Sequence, residues 1–202
     1  MVYKSPSNHI TFILPTPHWV TKPLPMKNAI TGIFFICLFS SCSTTRYYVI
    51  RHAEKTSNDC TAPLLQPQGF NRAQTLRDSL LSKHIDSIFV STCLRTQQTA
   101  QPLATALNLT MIQFDPSAAQ TQVLLSRLKK IRGKNMLVAG HTSTVPEIVL
   151  GLSGSSIAPI ADTDFDNMYL VRIKRVLWST NRKLIQSTYG VPTNWMKLDG
   201  WV

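Results

Sequence analysis

An α/β fold, a three-layer α/β/α sandwich with a mainly parallel sheet, is the architecture predicted for this chain. From residue 47 onward short apolar runs alternate with stretches of helical periodicity, the pattern of successive βα units. Chemistry-bearing dipeptides close two of those runs, Arg51-His52 after the first and Gly140-His141 after a later one. Open α/β sheets present ligand chemistry at the carboxyl ends of their parallel strands, so both dipeptides stand where a site belongs. With 202 residues and 44% hydrophobic content the chain can bury one good-sized core rather than two, and a single folded domain over 43–202 is expected.

Each element has its own justification. Tyr47 to Ile50 reads as the first strand. Gln68 to Leu81 reads as a helix with Phe70, Ala73, Leu76, Leu80 and Leu81 on one side and Arg72 and Arg77 facing out. Ser87 to Val90 is the second strand and Thr96 to Leu107 the second helix, in which Pro102 demands a local kink. Met111 to Phe114 is a third strand. Val123, Leu124, Leu128 and Ile131 then recur at helical spacing, with Arg127, Lys129, Lys130 and Arg132 as a solvated face. Met136 to Ala139 is a fourth strand, followed by a short helix near Pro146 to Leu150 that Gly151 ends. Met168 to Ile173 and Leu184 to Thr188 are late strands joined around Ser179-Thr180-Asn181. Trp178, Trp195 and Trp201 read as packing or tail contacts.

The first residues have a different character. Met26-Lys27-Asn28, the apolar run Ala29 to Phe39 and then Ser40-Ser41-Cys42 supply the basic start, apolar stretch and small residues of a bacterial secretion signal. A run of about 11 residues is short for a span, which needs about 20. The small residues before Cys42 resemble a lipobox, although Phe39 departs from the usual Leu, Val or Ile. Residues 26–42 are therefore expected to be a lipoprotein signal with Cys42 as the lipidation site, and the protein to be lipid-anchored in the cell envelope, facing the periplasm. Residues 1–25 hold five prolines in front of Met26 and read as a mis-assigned start or a disordered leader. Ser43 to Arg46 would then tether the first strand to the membrane over roughly 14 Å at full extension. Cys60 and Cys93 are left as thiols in a disulfide-permissive compartment; each follows a strand end on the same side of the sheet, and pairing is open.

The formal charge is +11, of which the first 42 residues contribute three Lys and no acid. There is no zinc spacing and no basic run with interleaved aromatics, so nucleic acid is not an expected partner. Anionic membrane surfaces and phosphorylated molecules fit the balance. No Walker or Rossmann glycine loop occurs, and no Cys-x-x-Cys or His-x-x-x-His spacing, so neither a cofactor nor a metal is expected.

Arg51-His52, then Gly69 with Arg72-Ala73 and Leu76, then Ser91 with Arg95, Gln97, Gln98, Thr99 and Ala100, and finally Gly140-His141 resemble the histidine phosphatase superfamily, also called phosphoglycerate-mutase-like. The resemblance covers about residues 46 to 190. It implies a covalent phosphohistidine on His52, with Arg51, Arg95 and His141 holding the phosphate. The chemistry stands beside it: phosphoryl transfer needs neutralisation of the non-bridging oxygens and an aligned nucleophile, which guanidinium forks and a neutral imidazole supply. A general acid for the leaving oxygen is least defined. Family members commonly carry one in the loop after the third strand, which implies Asp115; Glu54, two residues beyond His52, is the second candidate, and Glu147 reads as solvated or capping. Glu54-Lys55 replaces the Gly-Glu common after Arg-His in mutases, and the chain lacks a long insertion to form a substrate cap. Hydrolysis of a phosphorylated small molecule or phosphoprotein is expected rather than mutase activity. The alternatives are a phosphohistidine phosphatase of signalling proteins and an inactive envelope lipoprotein that binds phosphorylated ligands. Thr142-Ser143-Thr144 reads as a turn in which Ser143 or Thr144 caps the following helix.

Overall fold

The computed structural model describes residues 42–61 and 64–193. The leader, the apolar signal segment, Trp195 and Trp201 lie outside the described residues. Six strands, β1 (Ser43–Arg51), β2 (Ser87–Ser91), β3 (Met111–Phe114), β4 (Asn135–Gly140), β5 (Asn167–Val176) and β6 (Ser179–Thr188), form one sheet in the order β3-β2-β4-β1-β5-β6. The β3-β2, β2-β4 and β4-β1 pairs are parallel, and the β1-β5 and β5-β6 pairs antiparallel. The helices are α1 (Pro67–Leu80), α2 (Leu94–Leu107), α3 (Ala118–Lys130) and α4 (Thr144–Ser153), with a short 3-10 turn at Leu81–Lys83.

Strand alternation sorts the core into two layers, because successive side chains leave opposite faces of the sheet. Tyr47 and Val49 join Leu124 and Leu128 of α3 and Ile148 and Leu152 of α4. Tyr48 and Ile50 join Leu76 and Leu80 of α1 and Leu103 and Ala104 of α2 on the other face. The three-layer arrangement follows from that partition. Each fully buried Leu or Ile contributes about 1.5–3 kcal/mol relative to an exposed one.

Several expectations are corrected. Strand β1 begins at Ser43 rather than Tyr47, since Ser43 to Arg46 already pair with β5; no free tether separates Cys42, an exposed thiol, from the sheet. Arg72 does not face out from α1. It is buried, while Phe70 and Leu81, assigned to the inner side, are 44% and 46% exposed. Helix α4 runs through Gly151 and ends at Gly154, whose φ of +80° makes it the left-handed cap. Gly151 serves packing, because a Cβ there would lie 2.7 Å from a Leu125 methyl. Helix α2 starts two residues early, at Leu94, and is continuous through Pro102. The β5-β6 turn is Leu177-Trp178, ahead of the expected Ser179-Thr180-Asn181, and Trp178 is 94% exposed instead of packed.

Candidate active site

Strands β1 and β4 end side by side, with Arg51 opposite Gly140, and the His52 N–H donates to Gly140 O at 3.0 Å. The next residue on each chain is a histidine. Gly140 permits the turn: a Cβ on it would lie 2.5 Å from Thr144 Oγ1, the same hydroxyl that accepts the His141 backbone N–H at 2.9 Å. Thr144 therefore holds the turn after β4, whereas Ser143, at the helix N-cap, makes no side-chain capping bond. The two imidazoles sit with centroids 5.4 Å apart.

These side chains line a pocket of about 330 Å³ that also includes Arg51, Arg95, Lys55, both cysteines and the Thr142-Ser143 turn. His52 Nδ1 is 2.8 Å from Ala53 O, an acceptor, so the ring proton belongs on Nδ1 and Nε2 keeps its lone pair. His141 is fixed through Nε2, 2.7 Å from Ser91 Oγ, which in turn contacts Thr96 Oγ1 at 2.8 Å. Thr96 donates to Cys93 O at 2.7 Å, so a consistent chain runs from His141 Nε2–H to Ser91, Thr96 and that carbonyl. Burial pushes the His52 pKa down to about 3, with the charges of Arg51, His141 and Arg95 adding to it against the Ala53 bond. Burial likewise lowers His141 to about 4, helped by Arg95, Arg51 and Lys55. Both rings are neutral at physiological pH.

Arg51 is held from behind, its Nη1 donating to Ala161 O at 2.6 Å and Asp164 O at 3.1 Å, with the Phe165 ring 4.4 Å from its guanidinium carbon. Arg95 Nη1 donates to Asn58 O and Asp59 O at 3.3 and 3.1 Å, and Nη2 approaches His141 Nδ1 at 3.4 Å. Burial lowers both guanidinium pKa values, yet an Arg keeps its charge. The Nε–H groups of both are buried with no hydrogen-bond acceptor among the described residues. Buried unpaired donors are costly, and the anionic oxygens of a phosphoryl group are acceptors of the kind they lack.

Neither expected general acid joins this group. Asp115 is exposed and lies outside the pocket lining, where its carboxylate accepts the Ser117 N–H at 2.8 Å; that bond pulls its pKa down, the wrong direction for a proton donor. Glu54 is turned away onto Arg72, which grips it at 2.7 and 3.0 Å and continues to Tyr189 O and Val191 O. Gly69 lets α1 approach this loop, since a Cβ there would lie 2.3 Å from Glu54 O. Glu147 is engaged with Gln122.

Lys55 extends to the pocket rim beside Asn58. Sequence reasoning missed Asp162, which is 95% exposed and approaches Arg51 Nη2 at 3.6 Å as the one carboxylate in the lining among the described residues. Cys60 and Cys93, whose pairing was left open above, are joined in a disulfide at the pocket wall. The bridge ties the loop whose carbonyls hold Arg95 to the start of the helix that carries it. No group of side chains that could hold a metal occurs among the described residues.

No curated protein sequence matches this chain. A family model does, that of the histidine phosphatase superfamily (branch 1), over residues 47–119, which span β1 to the start of α3. Among solved structures the chain is similar to the protein histidine phosphatase SixA complexed with tungstate (18% identity, TM-score 0.53, 71% of this chain and 96% of that one). It is also similar to a candidate phosphohistidine phosphatase SixA from Agrobacterium tumefaciens (17%, TM-score 0.51, 73% and 98%). A third is the mycobacterial glucosyl-3-phosphoglycerate phosphatase (10%, TM-score 0.53, 72% and 99%). Identities this low speak to the fold alone. The matched segment carries a likeness to the histidine phosphatase superfamily, and the fold that encloses it is the one these solved structures share.

Proposed function

We propose that the protein is a phosphatase that works through a covalent phosphohistidine on His52. The observation that carries this reading is the neutral His52, its Nε2 lone pair free, between two buried guanidinium groups. Arg51 and Arg95 take the non-bridging oxygens and spread the charge that develops on them. The Nε2 lone pair forms the N–P bond while the bond to the leaving atom breaks and its electron pair departs with that atom. Water then attacks phosphorus, the N–P bond breaks, and the pair returns to Nε2. His141 gives Nε2–H to Ser91 and keeps the Nδ1 lone pair toward Arg95, so it meets the phosphoryl group by receiving the proton that a monoanionic phosphoryl group carries.

The lining favours substrates that need little help in leaving. Asp162 is the one carboxylate there among the described residues, and it is exposed and turned toward Arg51. Phosphoramidates such as phosphohistidine, or aryl phosphates, fit better than alkyl esters, which demand an acid. A mutase cycle is not part of this reading. Turnover of p-nitrophenyl phosphate and of phosphohistidine, set against an alkyl phosphate and repeated with His52→Ala, tests it; tight phosphate binding without turnover would instead support a ligand-binding envelope protein.

We also propose that Cys42 carries the lipid. Strand β1 starts at the next residue, and His52 follows the far end of that strand, about 30 Å away at the usual rise per residue. An anchored domain would therefore hold the pocket away from the bilayer, toward periplasmic substrates. Cys42→Ala should move the protein out of the membrane fraction, and unchanged sedimentation would overturn the anchor.

A further inference from the structure

The β5-β6 hairpin ends in an unusual tip. Two-residue hairpin turns favour Asn, Asp and Gly, which are polar or accept a positive φ at low cost. Here the turn is Leu177-Trp178, with Leu177 at φ +51°. Trp178 is 94% exposed, Leu177 48% and the preceding Val176 37%. A large indole and a strained leucine presented to solvent gain nothing from the core.

The charge on the hairpin itself has one sign. Between residues 167 and 188 the sequence holds Arg172, Lys174, Arg175, Arg182 and Lys183 and no acidic residue. Lys174, Arg182 and Lys183 are exposed. The neighbouring loop adds Arg132, with Lys134 paired to Asp86 at 2.8 Å, and it is tied to β1 by the Gly133 N–H donating to Thr45 Oγ1 at 3.0 Å. Burial, then Arg132 and Arg182, depress the Arg175 pKa, so the two basic segments share one field. This is the end of the domain opposite the histidines. Ser43 pairs with Arg175, which sets Cys42 beside Val176 at the tip.

We propose that the tip of the β5-β6 hairpin is a membrane-docking element, with Trp178 and Leu177 entering the headgroup region of an anionic bilayer and Lys174, Arg182 and Lys183 meeting its phosphates. Trp is enriched at membrane interfaces, where its apolar body and polar N–H are both satisfied, and basic residues next to it add attraction to anionic lipid. Three apolar residues are too few for a stable protein partner, which needs about 800 Å² per side. Docking depends neither on acylation of Cys42 nor on the phosphatase reading, although with an acyl anchor it would fix the orientation of the domain.

The test uses the full chain with Cys42→Ser, so that no acyl group contributes, and with Trp19, Trp195 and Trp201 replaced by Phe, so that Trp178 alone fluoresces. Vesicles containing phosphatidylglycerol and acyl-brominated lipid should quench Trp178, and phosphatidylcholine vesicles should quench it far less. Lys174→Gln and Arg182→Gln should each weaken the binding seen by quenching about fivefold. Turnover of a soluble substrate in the same variants, unchanged, reports that the domain is folded. Absence of quenching in anionic vesicles overturns the proposal, as does quenching insensitive to both charge removals. Concentration-dependent dimerisation abolished by Trp178→Ser, without vesicle binding, would assign the tip to a second copy instead.

Discussion

Replacing Glu54 by Ala separates a structural carboxylate from a catalytic one. Glu54 and Arg72 are 6% and 5% exposed, and their contact is bidentate, with Arg72 Nε and Nη2 both donating. Without the carboxylate a buried cation keeps, among the described residues, two carbonyl acceptors, on Tyr189 and Val191. Breaking such a pair from one side costs about 3–5 kcal/mol. In a domain of this size that lowers Tm by roughly 6–20 °C, at about 2–4 °C for each kcal/mol. Thermal unfolding followed by circular dichroism gives the first number, and steady-state turnover of p-nitrophenyl phosphate, measured well below the transition, gives the second. Turnover per folded molecule should stay within a few-fold of the parent. Removing both charges with Glu54→Ala and Arg72→Met should recover much of the lost stability, because no unpaired charge remains. A Tm within about a degree of the parent, with turnover reduced by orders of magnitude, would show that Glu54 donates the leaving-group proton and that its pairing with Arg72 is incidental.

Other outcomes follow from the same site. Asp115→Asn should leave turnover of an aryl phosphate unchanged, and a loss of tenfold or more would return that residue to the chemistry. Cys60→Ser opens a loop of 33 residues, for which chain entropy gives about 3–4 kcal/mol of lost stability, and it should raise KM by loosening the carbonyls that hold Arg95; equal Tm and KM would contradict both parts. The histidine pKa values set a pH dependence. Both are lower folded than unfolded, so the unfolded chain binds more protons between about pH 6.5 and 4. Stability is full above pH 6.5 and falls as pH drops, by up to about 1.4 kcal/mol per unit for each ring. Denaturant midpoints that do not change between pH 7 and pH 4.5 in the parent, when compared with His52→Asn, would refute the burial argument. Turnover governed by neutral His52 should hold its acid limb well below pH 6.

Much of this was legible in the chain. The alternation in Tyr47 to Ile50 already assigns one pair of side chains to each face of the sheet, and the order of strands and helices follows the apolar runs. The histidines and arginines were legible because their positions are set by backbone: Arg51 ends a strand, His52 and His141 are the first residues beyond one, and Arg95 lies in the first turn of a helix. The acid was not. Glu54 is two residues from His52, but which way its side chain turns depends on Arg72, eighteen positions on, and Gly69 brings that helix close. Arg72 looked like a surface residue because periodicity registers charge without its partner. Asp162 lies in an aperiodic stretch between α4 and β5, and it reaches Arg51 only because β5 returns antiparallel beside β1, a pairing that no local pattern encodes. The hairpin turn was misplaced for a related reason: Ser-Thr-Asn is a better turn sequence than Leu-Trp, and a tip with apolar side chains breaks the local rule.

The account rests on which atom receives the phosphoryl group. Rapid acid-free quenching of the enzyme during turnover of a radiolabelled aryl phosphate, with peptide mapping and phosphorus NMR of the labelled fragment, identifies it. A phosphoryl group on Nε2 of His52, stable to alkali and lost in acid, is expected, because Nδ1 is committed to Ala53 O. Label on His141, label on Nδ1 of His52, or undiminished turnover in His52→Ala would contradict it.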